Sequence, residues 1–141
     1  MIVVDASVLL PAVAEAGEVG RTARDRIGSR SMVAPELIDC ETASALKGLE
    51  RSARLSPDLA LLKLRELALL PIERVPHWPF LVRIWELRHN LSVYDATYVA
   101  VAEALGTYLA MPSGKTFGVV NTSDRIILMI DEAHRTQSSD L

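Results

Sequence analysis

The chain opens on an unbroken apolar run, MIVV, which Asp5 ends. A β-branched stretch of this kind fits a strand buried on both faces of a parallel sheet. ASVLLPAVAEAG after it has helical composition, and VGRTARDRIGS predicts a second helix studded with arginine. SMVAP predicts a short strand whose closing proline suits the first turn of the helix PELIDCETASALKGLERSARL. SPDLALLKLRELALL opens on a Ser-Pro helix start and carries Leu61, Leu64, Leu67 and Leu70 at a spacing that predicts a core-facing stripe. PIERVP reads as an edge strand between prolines, and HWPFLVRIWELRHN as one more helix. SVYDATYVAVAEALG is then a helix of small and apolar residues stopped by Gly106. Strands alternating with helices imply a three-layer α/β domain around a mostly parallel sheet. Ligands of such sheets bind beyond the carboxyl ends of the strands.

The tail is less regular. Strands are expected at GVVNT and IILMI, a turn at Pro-Ser-Gly, and fraying over the last polar residues. The 141 residues suit a single domain, long enough to bury a core without staples. The lone cysteine, Cys40, forms no internal disulfide, and no Cys/His cluster offers a zinc site, so a reducing, cytoplasmic setting fits best. The apolar N-terminus has no basic flank, and Asp5 interrupts it, which argues against a secretion signal or a membrane span. A formal net charge of −3 excludes a polycation that holds nucleic acid by bulk charge. An RNA substrate would need local basic residues, metal ions or a partner to offset phosphate repulsion.

Three acids stand out. Asp5 lies where the first strand ends, at the sheet edge that presents catalytic groups; the plainer reading is a cap for the helix that follows. Glu41 lies roughly 180° around its helix from Glu50, which directs it inward with Leu37, Ser44, Ala45 and Gly48. An inward carboxylate needs a partner, either an arginine in a buried salt bridge or a metal. Asp95 makes a Ser-x-x-Asp pattern with Ser92, close to a capping box, and an acid is favoured at a helix start in any case. Asp39, Glu36, Glu50 and Glu103 read as solvated charges. As a set, Asp5, Glu41 and Asp95 are oxygen-only ligands near one edge of a parallel sheet, which suits Mg²⁺ or Mn²⁺. An ion there would promote hydrolysis of a phosphodiester.

MIVVDASVLL, APELIDCETASALKGL and LSVYDATYVAVAEALG, in that order and spacing, resemble the PIN-domain ribonucleases of the VapC toxin family over residues 1 to 106. The resemblance implies a PIN-like three-layer α/β/α domain, a Mg²⁺-dependent endoribonuclease in which Mn²⁺ can substitute, a homodimer, and a cognate VapB antitoxin inserted into the active-site groove. It assigns Asp5, Glu41 and Asp95 to the family's acidic positions and Ser7 to the small hydroxyl residue of the first motif. After Gly106 the chain departs from the family. Where a fourth acid is expected the sequence reads LAMPS, and VVNTSD places Asp124 as a substitute only if about eleven residues are inserted. A change of reading frame near codon 107 is the other explanation for the tail.

A catalytically weak module that mainly binds antitoxin or nucleic acid is the competing function. Arg21, Arg24, Arg26, Arg51 and Arg54 could line an RNA groove, although a solvated helix face is their ordinary meaning. Trp78, Phe80 and Trp85 are expected to pack inside, with a partner helix as their alternative. A close group of acids also suits a guanidinium, so an antitoxin is expected to set an Arg or Lys against Asp5 and Asp95.

Overall fold

Ile2–Val4 forms β1, and all three side chains are completely buried, as the opening run requires. In this computed structural model, which describes residues 1–110 and 128–129, β1 is the centre of a five-stranded sheet. Its order is β3-β2-β1-β4-β5, with β2 at Met32–Pro35, β3 at Ile72–Val75, β4 at Tyr108–Ala110 and β5 at Leu128–Met129. Every pairing is parallel, with Ile2 opposite Met32 on one side and Tyr108 on the other. The expected strand IILMI supplies β5, whereas GVVNT and Asp124 lie outside the described residues.

The order runs outward from β1 to β3 and then returns to β4 on the other side. Right-handed crossovers therefore place the helices before and after that return on opposite faces. Accordingly α1 (Ala6–Ala14) packs against α2 (Glu18–Ile27), α3 (Leu37–Arg51) and α4 (Pro57–Leu69). The helix α6 (Val93–Leu105) lies on β1 and β2, with α5 (Leu81–Glu86) against it.

Local signals explain most element ends. Ser56 caps α4 by accepting from the Leu59 N–H at 3.3 Å, and Gly106 ends α6 in the left-handed conformation, at φ 58°. Pro35 behaves differently from expectation: it closes β2 and does not open α3. The ladder to β3 continues at Glu36, whose N–H donates to the Val75 carbonyl at 3.0 Å.

Three further expectations fail. The segment HWPFLVRIWELRHN is not one helix but a 3₁₀ turn at Trp78–Phe80, the short α5, and a second 3₁₀ turn at Leu87–His89. Pro79 in the first turn cannot donate a backbone hydrogen bond there. Trp78 and Trp85 are exposed, the latter under the Arg88 guanidinium at 4.5 Å, and only Phe80 packs on the core. On α4 the buried residues are Ala60 and Leu67, while Leu61 and Leu64 face solvent. Residues three apart drift by about 60° per step, so Leu61 sits roughly 120° around the helix from Leu67.

Asp39 and Glu103 are not merely solvated. Arg74 Nε donates to both Asp39 oxygens at 3.0 and 2.8 Å, joining β3 to α3. Arg83 grips Glu103 in a two-pronged pair at 2.7 and 2.9 Å, joining α5 to α6. Among the arginines considered for RNA, Arg24 is structural: its guanidinium donates to the carbonyls of Ala12 and Glu15, fastening α2 to the end of α1. No helix among the described residues is long and apolar enough to cross a membrane.

Two glycines test this packing in opposite directions. A Cβ at Gly20 would lie 1.8 Å from the Glu15 carbonyl oxygen, so α1 and α2 would have to separate. A Cβ at Gly48, inside α3, would meet nothing within 4 Å. In urea denaturation we expect Gly20→Ala to cost about 1–3 kcal/mol. Gly48→Ala should instead add about 0.5–1 kcal/mol, because alanine loses less backbone entropy in a helix.

Candidate active site

In a parallel sheet every strand ends at one edge, and the helices that return to it begin there. Asp5 follows β1 directly and Glu41 lies in the second turn of α3, shortly after β2 ends. Asp95 lies in the first turn of α6, whose far end reaches the opposite edge, where Thr107 Oγ1 donates to the Met1 carbonyl at 2.8 Å. The strand order reverses between β1 and β4, and the crevice at such a reversal is where open α/β sheets bind ligands.

Asp5 is 4 % exposed and caps α1, its Oδ1 accepting the Ser7 N–H at 3.1 Å. The plain capping role is therefore real, but it occupies one side of a carboxylate that has several acceptor positions. Ser7 contributes that N–H, while its side chain stands exposed on the first turn. Asp95 is half-buried, and its N–H donates to Oγ of the helix cap Ser92 at 3.1 Å.

Glu41 is placed differently from the inward position expected. The buried face of α3 is Ile38, Thr42 and Leu46, and the Thr42 hydroxyl satisfies itself on the Ile38 carbonyl at 2.8 Å. Glu41 is half-buried beside that face. With Leu37, Ser44 and Ala45 it lines an open groove of about 530 Å³, completed by Cys40 and Tyr94. The stripe read as core is thus the wall of a cleft, because it is turned by about a quarter of a circle from the residues that touch the sheet.

The residue that joins these pieces is Tyr98, which the acid pattern alone did not single out. Its side chain is 1 % exposed, and its hydroxyl donates to the Glu41 carboxylate. Burial holds the phenol proton far above its usual range. The hydrogen bond to Glu41 and the charges of Glu41 and then Asp5 push the same way, against a smaller opposing effect of the Ala6 N–H. Glu41 therefore holds the phenol directly, and the charge of Asp5 acts on the same group. Asp95 precedes Tyr98 by three residues, roughly 60° around α6, which puts it on the same helix face. The available signal was a large aromatic with a polar end in a helix otherwise made of small apolar residues.

Among the described residues no three His, Cys, Asp or Glu side chains form a ready metal-binding group. The oxygen-only donors nonetheless suit Mg²⁺, which keeps several waters and takes one or two carboxylates with the substrate phosphate.

The family model for the PIN domain matches residues 2–132. The chain is 42 % identical over 109 residues to Ribonuclease VapC9 of Mycobacterium tuberculosis, covering 77 % of this chain and 83 % of that protein. It is 38 % identical over 104 residues to Ribonuclease VapC1 of the same species, covering 73 % and 78 %. The crystal structure of M. tuberculosis VapC20, described as a sarcin-ricin loop cleaving toxin, superposes with a TM-score of 0.60 at 20 % identity. That match covers 77 % of this chain and 87 % of VapC20, and shows the fold.

The buried phenol makes a prediction about stability. A tyrosine whose folded pKa is raised keeps its proton in the native state after the unfolded chain has lost it. Its stabilisation is complete below the unfolded pKa of 10 and declines as pH rises above it. Relative to Tyr98→Phe, wild-type stability should fall by about 1.4 kcal/mol per pH unit above pH 10. Chemical denaturation of both proteins between pH 8 and pH 11 checks this; parallel curves would mean that the phenol ionises freely in the fold.

Proposed function

The chain belongs to the PIN-domain family as a VapC-type toxin ribonuclease, and on that premise we propose that Asp5, Asp95 and Glu41 hold Mg²⁺, or Mn²⁺ in its place, for endonucleolytic hydrolysis of RNA. One observation carries this reading: the Tyr98 hydroxyl donates to Glu41 from the α6 face that also bears Asp95, and the charge of Asp5 acts on the same phenol.

When bound by Asp5, Glu41 and Asp95, the ion would supply Lewis acidity toward a water and the phosphodiester. The side chains do the rest. Asp5 is held in one orientation by the Ser7 N–H and by burial, so its charge is fixed before substrate arrives. Tyr98 keeps its proton and remains a donor, which holds Glu41 against α6. The start of α6 offers a partial positive charge and N–H groups that favour a phosphate nearby. Each cut consumes one water and leaves a phosphomonoester and a hydroxyl.

The partner follows from the same chemistry. Clustered carboxylates repel one another, and a guanidinium pairs with them in two-pronged fashion, so a VapB-type antitoxin would inhibit by setting an Arg or Lys against Asp5 and Asp95. A homodimer fits the apolar surface exposed at Trp78, Leu81, Val82 and Trp85, larger side chains than a solvated face requires.

Asp5→Asn separates capping from catalysis, because asparagine caps a helix as well as aspartate does. We expect an unchanged melting temperature with Mg²⁺-dependent RNA cleavage reduced about a hundredfold or more, the loss of roughly 3 kcal/mol of transition-state stabilisation. Joint loss of folding and activity would return Asp5 to a purely structural role. EDTA should abolish cleavage by the wild type, and Mn²⁺ should restore it. Truncating the basic C-terminal segment of the antitoxin should release nuclease activity in the co-purified complex; continued inhibition would exclude the guanidinium mode.

A further inference from the structure

We propose that the groove between α3 and α6 is a nucleobase subsite, in which the ring of Tyr94 stacks on a base next to the scissile phosphate. This rests on the ribonuclease reading and adds to it a residue that grips the substrate by a base as well as by its backbone.

Tyr94 is 60 % exposed, so its ring is available to a ligand. It immediately precedes Asp95 in the first turn of α6, and it lies one helical turn before Tyr98. The two tyrosines divide the work along one face. Tyr98 is buried and fastens Glu41 of α3 to α6, whereas Tyr94 stands outside that link, where the cleft opens. Glu41 itself lines the cleft, so whatever enters it lies beside one of the proposed site acids.

The lining matches a base better than a phosphate. Leu37 and Ala45 offer apolar contact, Ser44 can hydrogen-bond a base edge, and among the described residues no Lys or Arg borders the cleft to hold a backbone anion. Ser44 and Ala45 are small, which leaves room opposite the ring. Bases of single-stranded RNA are free to unstack onto aromatic side chains, and such stacking tolerates sequence because every base has a π-face. An acidic protein that cannot rely on bulk charge gains substrate affinity from a contact of this kind.

The test measures binding without cleavage, by fluorescence anisotropy of a short fluorescein-labelled single-stranded RNA on Asp5→Asn protein. Adding Tyr94→Ala should weaken binding about tenfold or more, and Tyr94→Phe should stay within about threefold of the parent. A matched strand with abasic positions around the cut site should bind more weakly to the parent and show no further loss with Tyr94→Ala. Equal affinity of the Ala and parent proteins overturns the proposal. So does a Phe variant as weak as Ala, which would make the hydroxyl the contact, and so does a penalty that persists on the abasic strand. Unchanged RNA binding with weakened binding of the antitoxin would assign the cleft to the protein partner instead. Failure of the wild-type protein to cut any RNA with Mg²⁺ or Mn²⁺ would fault the ribonuclease reading itself, an outcome distinct from all of these.

Discussion

Parallel strands must all end at one edge of their sheet, and each helix that crosses back must start there. This constraint fixes where Asp5, Glu41 and Asp95 lie before any side-chain contact is made. β1 is buried on both faces between β2 and β4, so the residue after it stands at the reversal of strand order. The helix starts add N–H groups and partial positive charge at the same edge, which offsets part of the repulsion among the acids. The topology thus supplies the edge at which the proposed cation and phosphate would sit, and residues at that edge would determine the chemistry.

Two of the carboxylates at this edge are each held by a specific donor. Asp5 takes the Ser7 N–H, and Glu41 takes the Tyr98 hydroxyl. A neutral donor suits this position better than an arginine would. It orients the carboxylate without cancelling the charge that attracts a metal ion, and burial keeps its proton in place. Tyr98 also links α6 to α3 through Glu41, which lines the cleft.

The outer helices tell a different story. Leu61, Leu62 and Leu69 on α4 and Trp78, Val82 and Trp85 around α5 leave large apolar surfaces exposed. Ion pairs lie close to some of these elements, Arg74 with Asp39 and Arg83 with Glu103, and they set helix positions more than they add stability. Apolar side chains that the isolated chain does not bury fit a protein that works with partner chains, the context in which the homodimer and antitoxin are proposed.

The sequence by itself determined the alternation of strands and helices as far as β3, the burial of β1, the caps at Ser56, Ser92 and Gly106, and three acids near one sheet edge, because periodicity and capping chemistry are local; β4 at Tyr108–Ala110 was not among the expected strands. The resemblance of three short motifs was enough to point to the family. Whether an apolar residue is covered was decided only by tertiary structure, since helical spacing defines a face but not what lies opposite it. The α4 leucines and the two tryptophans were misjudged for that reason, as was the Glu41 stripe, which faces a cleft and not the sheet. Tyr98 escaped notice for a related reason: its hydroxyl meets Glu41 across 57 positions of sequence, and only the packing of α6 on the sheet brings the two groups into contact.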